Sequence, residues 1–384
     1  MSILLWIAAL AWGWLLAFRG MFWKADPIPA APDPVRWLEV VAVIPARNEA
    51  ACIGDTVRSL LTQDYPGKLS VVVTDDASED GTAELACATA IELGAVDRLI
   101  VVSAPPLPEG WSGKMWAQEQ GLAAAVTAHP SASLYLLTDA DIHHGPGQLR
   151  RMVARLEAER LDLASLMVRL STETFAEKAI VPAFVFFFRL LYPFRWVADP
   201  TRVTAAAAGG YMLIRRLMLD RIGGIASIRD ALIDDCALAA KVKRAGGRLA
   251  LDLADETGSS RAYESAGELW MMIARSAYTQ LNYSPLLLAG TALAIVVGFL
   301  LPPIWAFTGS VPAIIAWAAM SIAYAPMLRY HRLPVWQAPL LPLVTLFYLG
   351  ATLDSGRRHW MGKGGQWKGR AQAHKQASPP RERK

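Results

Sequence analysis

Hydrophobic residues are concentrated in four long runs, which are residues 3–18, 286–307, 311–328 and 335–353. Each run approaches the ~20 residues that a helix needs to cross a bilayer. No basic residue precedes the first run, and Arg19 and Lys24 follow it, which is the reverse of a secretory signal. The pattern predicts a retained N-terminal anchor over 1–24, with a short interfacial helix as the alternative, and a C-terminal membrane region over 276–353.

Between these runs, the spacing of apolar residues indicates a folded domain over 40–275, joined to the anchor by a Pro- and Asp-containing linker over 25–39. Short β-branched runs are typical of buried strands, and apolar residues three and four apart are typical of helices. The predicted strands are 40–45, 69–78, 97–102 and 134–141, and the predicted helices between them are 49–63, 80–94 and 115–128. This alternation predicts an α/β fold with a mainly parallel sheet, which binds ligands at the carboxyl ends of its strands.

The segment 175–197 is apolar on almost every side, but Arg189, Pro193 and Arg195 interrupt it. A buried helix would explain this pattern. Our preferred hypothesis is a helix in the membrane interface, with its Phe side chains toward the lipid and its Arg side chains at the headgroups.

Composition supports a membrane location for part of the chain. Its 384 residues are 54% hydrophobic and 19% charged and include 14 Trp, which is too apolar for a typical soluble enzyme. The three cysteines, Cys52, Cys87 and Cys236, are far apart in the sequence. This spacing fits a reducing cytoplasm and argues against a disulfide scaffold or a structural zinc site.

Positive charge is concentrated in a basic tail over 354–384, which has nine Lys/Arg and two acidic residues, in a chain of net charge +4. The tail directly follows the last apolar run, so an anionic lipid surface is its expected partner. Nucleic acid is the alternative, but the tail contains no nucleic-acid-binding motif, and we predict no nucleic-acid partner.

Two pairs of carboxylates lie where predicted strands end. Asp75 and Asp76 close the second strand, and Asp139 and Asp141 close the fourth. Asp is also a common turn residue, so either pair alone has a structural explanation. Two pairs at one edge of a parallel sheet instead favour a ligand site, and carboxylate oxygens suit a hard divalent cation.

Five motifs give the chain a resemblance to inverting glycosyltransferases of family 2, which have the GT-A nucleotide-sugar-binding fold. They are VIPARNEA (43–50), TDDASEDGT (74–82), SGK (112–114), TDAD (138–141) and IDDCALAAKVKRAGG (233–247). Their order and spacing are similar to the family's over roughly residues 40–250. The resemblance implies a hexosyltransferase whose donor is a UDP-sugar.

The same resemblance implies roles for individual donor-side residues. Asp76 would contact the uracil edge, with Asp75 as a less defined neighbour, and Lys114 would approach the phosphates. Three further residues, Pro45, Arg47 and Glu49, would line the nucleotide pocket. Lys114 as a solvated loop charge is the alternative.

For the cation, the resemblance implies Mg²⁺ or Mn²⁺ bound by Asp141, with Asp139 at the ribose or in the metal shell. A helix N-cap is the alternative role of Asp141. We expect the neighbouring His143 and His144 to lie on the loop surface, because oxygen ligands suit these ions better than imidazole does, and a secondary metal or phosphate contact by one of them is the alternative.

Transfer to a hydroxyl also requires a base, for which a carboxylate is a usual choice. The IDDC motif supplies Asp234 and Asp235, and by resemblance the second is the base. The family more often has Glu at the first position, which leaves the supporting role of Asp234 open. Helix capping is the alternative for this pair.

On the acceptor side, the resemblance assigns Gly209 and Gly210, where glycine permits close approach of the backbone. Related membrane enzymes have a Q-x-x-R-W motif, whereas this chain has Gln280 with Tyr283 in place of the Arg. This departure argues against a polysaccharide synthase. The overall arrangement, with QWKGR at 366–370, is most similar to bacterial hopene-associated glycosyltransferases, which implies a hopanoid or related lipid acceptor.

These inferences predict a multi-pass enzyme of the bacterial inner membrane with a cytoplasmic catalytic domain. Ceramide, diacylglycerol and polyprenyl phosphate are alternative acceptors, and a nucleotidyltransferase or a non-catalytic scaffold are alternative functions. Three C-terminal spans would place the basic tail outside, against the positive-inside tendency. We therefore predict that the proline-containing run 335–353 is interfacial or re-entrant.

Overall fold

The computed structural model describes residues 1–362 and, beyond them, the backbone of 366–367 and 370–371. The predicted basic tail, its QWKGR side chains and position 376 therefore lie wholly or largely outside the described residues. Eight strands form one sheet: β1 (Val40–Ala46), β2 (Leu69–Asp75), β3 (Leu99–Ser103), β4 (Leu134–Leu137), β5 (Ile142–His143), β6 (Leu163–Arg169), β7 (Met212–Arg215) and β8 (Leu249–Ser259). A separate antiparallel pair joins β9 (Gln366–Trp367) and β10 (Arg370–Ala371).

The sheet has the order β3-β2-β1-β4-β7-β6-β8-β5. The strands β3, β2, β1 and β4 are mutually parallel, and so are β6 and β8. β7 runs antiparallel to β4 and β6, and β5 runs antiparallel to β8. The expectation of a mainly parallel sheet is confirmed. All seven residues of β1 are buried, as its continuous apolar sequence predicts for a strand covered on both faces.

Helices cover both faces of the sheet, and the chain also contains 3-10 turns at Val96–Arg98 and Ile225–Ile228. The helices of this domain are α2 (Ile53–Leu61), α3 (Thr82–Glu92), α4 (Gly113–Ala128), α5 (Gln148–Ala158), α6 (Phe175–Leu191), α7 (Phe194–Ala198), α8 (Arg216–Arg221), α9 (Asp234–Arg244) and α10 (Ala266–Gln280). Two predicted strands are shorter than expected. β2 ends at Asp75, and β4 ends at Leu137, because the polar residues that follow form turns.

The helix α6 corresponds to the first part of the apolar segment 175–197. Thr174 and Glu177 form a reciprocal capping box at its start. Arg189, which the interfacial hypothesis placed at the headgroups, is only 4% exposed and lies 4.8 Å from the ring centroid of Phe194. An interfacial location of the segment remains a prediction, but Arg189 faces protein.

The apolar runs form a bundle of helices beside this domain. They are α1 (Ser2–Phe18), α11 (Pro285–Ile295), a π-helical turn (Val296–Leu300), α12 (Leu301–Ala306), α13 (Val311–Tyr330), a 3-10 turn (Val335–Leu340) and α14 (Leu341–Trp360). Three stretches are long and apolar enough to cross a membrane: Pro285–Ala306, Val311–Tyr330 and Val335–Trp360. The shorter α1 packs along α13, and the indole of Trp12 donates to the Gly298 carbonyl at 2.8 Å.

The third stretch, Val335–Trp360, enters and leaves the bundle on the side of the α/β domain. At its start, the Tyr330 hydroxyl donates to the Ala254 carbonyl of β8 at 2.6 Å. At its end, the Trp270 indole of α10 donates to Asp354 at 2.9 Å. Between them, the Trp317 indole donates to the Pro339 carbonyl at 2.9 Å. Trp317 lies about 20 Å along the axis of α13 from Tyr330. The segment after Tyr330 therefore runs back alongside α13 by about 20 Å to reach Pro339, and α14 then returns toward the α/β domain.

Candidate functional site

A cavity of about 1180 Å³ opens at the carboxyl ends of β1, β4 and β6 and extends toward the membrane helices. Most of the residues that the sequence assigned to a site line this one cavity. They are Pro45, Glu49, Lys114, Asp139, Asp141, Gly209, Gly210, Asp234 and Asp235. Residues from four of the five motifs, together with Gly209 and Gly210, therefore converge at one edge of the sheet.

Lys114 lies at the centre of this group, close to the start of α4. Its Nζ is 2.8 Å from Asp139 Oδ1 and 3.1 Å from Asp234 Oδ2. Burial alone would lower the pKa of Lys114, but Asp139 and Asp234 outweigh it and raise the pKa above its ordinary value. Lys114 is therefore a fixed positive charge between two motifs, and the alternative of a solvated loop charge does not hold.

Asp235 lies in the first turn of α9. One carboxylate oxygen accepts the backbone N–H of Gly209 at 3.0 Å, and the other accepts that of Cys236 at 2.6 Å. Burial and the neighbouring Asp234 raise the pKa of Asp235 to about 6, although Lys114 opposes this shift. The helix N-cap is Ile233, so neither aspartate caps the helix. A carboxylate with a pKa this close to neutrality is suited to accept a proton.

Of the two predicted glycines, Gly209 lies against the charged groups and Gly210 lies against apolar side chains of the sheet. A Cβ atom on Gly209 would lie 3.3 Å from Lys114 Nζ and 3.4 Å from Asp139 Oδ2. A Cβ atom on Gly210 would lie 2.8 Å from Val168, which leaves no space for a side chain. Gly209 therefore brings the backbone directly to the charged centre.

A buried chain of hydrogen bonds holds the backbone at Gly210 in place. The Thr138 hydroxyl donates to the Gly210 carbonyl at 2.7 Å, and His144 Nε2 lies 3.2 Å from the same hydroxyl. The expectation that both histidines lie on the loop surface is wrong for His144, which is 2% exposed. Burial lowers the pKa of His144 to about 3, so its ring is neutral. The exposed His143 lies 3.1 Å from Asp55.

Asp141 has surroundings that fit a cation. Burial, Asp139 and Glu49 raise its pKa to about 6, and Arg261 opposes them, so the ionised carboxylates repel one another. Among the described residues, no three His, Cys, Asp or Glu side chains form a closed metal site. Mg²⁺ typically uses only one or two protein carboxylates together with substrate phosphates, so two neighbouring aspartates at an open cavity fit such an ion. The N-cap of α5 is Gly147, which excludes the helix-cap alternative for Asp141.

The other nucleotide-side residues form a group of their own beside the cavity. Arg47 Nη1 lies 3.7 Å from Asp76 Oδ2 and also contacts the Asp76 carbonyl. Asp75 accepts the backbone N–H of Ser78 at 3.2 Å. Asp75, Asp76 and Arg47 do not line the cavity, whereas Pro45 and Glu49 do. Their contact with a nucleotide base therefore remains a prediction.

The far end of the cavity contains residues that the sequence analysis did not single out. Phe184 and Phe188 of α6 and Met271 and Met272 of α10 line an apolar part of its wall, and the cavity as a whole has further basic and aromatic residues. These are Arg261, Tyr263, Arg275 and Arg358. Of these residues, only Arg358 could have been singled out from the sequence, because it directly follows the last apolar run. Gln280 does not line the cavity, and its amide donates to the hydroxyl of Tyr192.

Comparison with known proteins places this site in a family. The sequence profile of glycosyl transferase family 21 matches residues 54–371. The chain belongs to glycosyltransferase family 21. The expected glycosyltransferase is therefore confirmed at the level of the family, while membership of family 2, an inverting mechanism and a hopanoid link remain predictions.

Two known proteins are similar to this chain. The mannosyltransferase from Pyrobaculum calidifontis, solved in complex with GDP-Man and Mn²⁺, has a TM-score of 0.54 and 21% identity, with 91% of this chain and 98% of that chain covered. This likeness supports the GT-A-type fold. A dodecaprenyl-phosphate galacturonate synthase of Rhizobium johnstonii is 27% identical over 140 residues, which are 36% of this chain and 38% of that protein. The match thus spans well under half of either protein.

In this family 21 member, Lys114→Met is expected to lower kcat/KM at pH 7 at least about tenfold, because it removes a charge-assisted contact from two carboxylates. Lys114 also holds down the pKa of Asp235. Its loss should therefore move the acidic limb of the pH profile to higher pH. Steady-state kinetics between pH 5 and 8 would measure both effects, with the exposed Lys68→Met as the matched control. An unchanged limb would contradict the assigned role of Lys114.

Proposed function

We propose that the protein transfers a sugar from a UDP-sugar to a hydroxyl group of a membrane lipid, with inversion at the anomeric carbon and with a divalent cation. The observation that carries this proposal is the position of Asp235, with its pKa near 6, inside a cavity that leads from Asp139 and Asp141 to the membrane helices. The cavity thus brings together a donor side and a lipid side.

In this proposal, Asp141 and Asp139 would hold Mg²⁺ or Mn²⁺, which when bound neutralises the charge of the donor diphosphate. Lys114, fixed by Asp139 and Asp234, adds a second positive charge at the same end. Asp235 accepts the proton of the acceptor hydroxyl as its oxygen attacks the anomeric carbon. Asp234 keeps Lys114 in place and, through repulsion, keeps the pKa of Asp235 high.

The apolar wall of the cavity supports a lipid acceptor. Phe184, Phe188, Met271 and Met272 provide a surface for a hydrocarbon group beside the charged centre. A hopanoid with free hydroxyl groups is the acceptor that the sequence arrangement favours. Ceramide and diacylglycerol offer the same chemistry, a hydroxyl beside an apolar body.

A polyprenyl phosphate is the second candidate acceptor, supported by the name of the Rhizobium johnstonii relative and by Arg275 and Arg358 in the cavity. A phosphate monoester is already an anion near neutral pH and needs no base. The buried, high-pKa Asp235 therefore favours the hydroxyl acceptor. If Asp235→Asn retained full activity, a polyprenyl phosphate would replace the lipid hydroxyl as the proposed acceptor.

Lipid mass spectrometry of cells with and without the gene tests the proposal, because a missing glycolipid identifies sugar and acceptor together. Unchanged lipids would contradict it. In purified enzyme, release of UDP supports the proposed donor, release of GDP would change the donor, and release of pyrophosphate would indicate a nucleotidyltransferase.

We further propose that the protein is an integral inner-membrane enzyme whose catalytic domain and tail lie on the cytoplasmic side. The loop 307–310 between α12 and α13 has no charged residue. The opposite ends of the apolar helices have many basic residues, which are Arg19, Lys24, Arg329, Arg332, Arg357 and Arg358. This asymmetry follows the positive-inside tendency. The returning course of 335–360 supports a re-entrant segment, which leaves the tail on the cytoplasmic side with a third crossing supplied by α1.

A cysteine introduced at position 376, with Cys52, Cys87 and Cys236 replaced, tests this topology. We expect a membrane-impermeant maleimide to label it in inverted vesicles and not in intact cells whose outer membrane has been permeabilised. A cysteine in the loop at 308 is the matched control and should show the reverse. Labelling of position 376 from outside alone would show that 335–360 spans the membrane.

A further inference from the structure

A basic and aromatic surface lies where the chain leaves α1. The guanidinium of Arg19, which directly follows the helix, lies 4.8 Å from the ring centroid of Trp196 in α7. The guanidinium of Arg202, in the loop after α7, lies 5.0 Å from the same ring. Two cations therefore share one indole, and we call these three residues the Trp196 site.

Tight packing holds the Trp196 site in place. Arg19 donates to the carbonyl groups of the last two residues of α6, at 3.1 and 3.4 Å. The next residue, Gly20, has a φ of +59°, and a Cβ atom on it would lie 2.8 Å from Pro193 and 2.9 Å from Trp196. Because a side chain at position 20 would collide with the ring, the glycine lets the end of α1 pack directly against α7.

The two guanidinium groups are not fully paired with carboxylates. Burial lowers the pKa of Arg19, and no carboxylate within residues 1–362 opposes that shift. Arg202 pairs weakly with Asp199, at 3.8 Å. The other oxygen of Asp199 accepts the backbone N–H and the hydroxyl of Thr201, at 2.9 and 2.7 Å. Both arginines can therefore still bind an anion.

The Trp196 site also lies at the boundary of the apolar helices. Phe18, the last residue of α1, is 68% exposed, and Leu191, the last residue of α6, is 51% exposed. Exposed apolar side chains beside basic ones mark a surface that meets lipid, and indole rings are typical of the headgroup level. An anion that reaches the site from this side belongs to a lipid headgroup.

We propose that Arg19, Trp196 and Arg202 form a binding site for the headgroup of an anionic phospholipid. The lipid phosphate would accept hydrogen bonds from the two guanidinium groups, whose planar, charged donors suit phosphate oxygens. The contact of Arg19 with the carboxyl end of α6 explains that side chain without a ligand, but it does not explain why Arg202 lies on the same ring.

This site goes beyond the proposed function, because it requires neither the base nor the sugar donor. It also differs from the predicted lipid contact of the basic tail, which belongs to residues 354–384. The inference requires only that α1 lies in the membrane, so that Arg19 is at its surface.

Native mass spectrometry of the full-length protein in a neutral detergent tests the site. Phosphatidylglycerol is the anionic probe, and phosphatidylcholine is the zwitterionic one. We expect the double variant Arg19→Gln with Arg202→Gln to bind phosphatidylglycerol about 25-fold more weakly, because each cation at an anionic lipid surface contributes about fivefold. Binding of phosphatidylcholine should not change.

The matched control is Arg329→Gln with Arg332→Gln, which removes two exposed arginines at the end of α13 and should leave the tight binding in place. Arg202→Gln alone keeps the contacts of Arg19 with α6 and should weaken binding about fivefold, whereas Arg202→Lys should retain it. An equal loss in the two double variants would reduce the effect to overall charge. Unchanged binding in Arg202→Gln, or displacement of the lipid by excess inorganic phosphate, would likewise overturn the inference.

Discussion

Asp235→Asn is expected to lower kcat about 10³-fold, within the range of general-base contributions, while the protein stays folded. The asparagine side chain occupies the same space, and its oxygen still accepts the backbone N–H of Gly209, which donates to the carboxylate at 3.0 Å, although its NH2 group no longer accepts the N–H of Cys236. It cannot accept the proton of the acceptor hydroxyl. KM for the donor should change little, because the proposed function places the donor phosphates at the Asp139 end of the cavity.

Stability separates this loss of activity from unfolding. In the folded protein the pKa of Asp235 is raised from 3.8 to about 6. A group whose pKa is raised in the folded state stabilises it most at low pH and loses that contribution as the pH rises through about 6. Above pH 6, the ionised carboxylate is therefore a net cost to the fold, and Asp235→Asn should have an equal or higher Tm at pH 7.5.

The pH profile of the wild-type enzyme tests the same base. Since the free base form of Asp235 is required, kcat/KM should fall as the pH drops below about 6. The matched control for thermal melts and kinetics on Asp235→Asn is Asp97→Asn. This variant removes an exposed carboxylate just before the amino end of β3. A variant at position 235 with a lower Tm and normal kcat would reverse both expectations.

The parts of this site that the sequence predicts are those set by neighbouring residues. Asp139 and Asp141 follow a buried strand, and parallel strands bring their carboxyl ends to one edge, so local pattern and topology suffice. The pairing of Lys114 with Asp139 and Asp234 was not predictable, because it depends on how the start of α4 packs against α9. The resemblance implied that Lys114 approaches the phosphates, but it did not indicate the contacts of Lys114 with the two aspartates.

Long-range burial explains what the sequence missed. In the sequence His144 resembles an ordinary loop residue, yet its ring is buried and lies 5.6 Å from the ring of Tyr211, which is 67 residues away in the chain. Arg189 similarly suggested a headgroup contact, but α6 turns it onto Phe194. In both cases tertiary packing buries a polar side chain, which the periodicity of the sequence does not indicate.

Asp141→Asn is the second change with a large expected effect, a loss of metal-dependent turnover of at least about 100-fold. The variant removes one of two carboxylates that would hold the ion. The remaining Asp139 is already paired with Lys114 at 2.8 Å and is a weaker ligand on its own. Chelation of divalent ions should inactivate the wild type, and added Mn²⁺ should restore it but should not restore the variant.

Metal binding itself provides a readout that does not depend on turnover. Burial, Asp139 and Glu49 raise the pKa of Asp141 to about 6 in the metal-free protein, so a cation must displace a proton below that pH. Binding of Mn²⁺ in the presence of UDP, measured by electron paramagnetic resonance, should therefore weaken as the pH falls from 7 to 5. In Asp141→Asn the binding should be weak at every pH, whereas Asp97→Asn should match the wild type. Equal, pH-independent binding by wild type and Asp141→Asn would place the ion elsewhere and leave Asp141 as a carboxylate that is buried without a ligand.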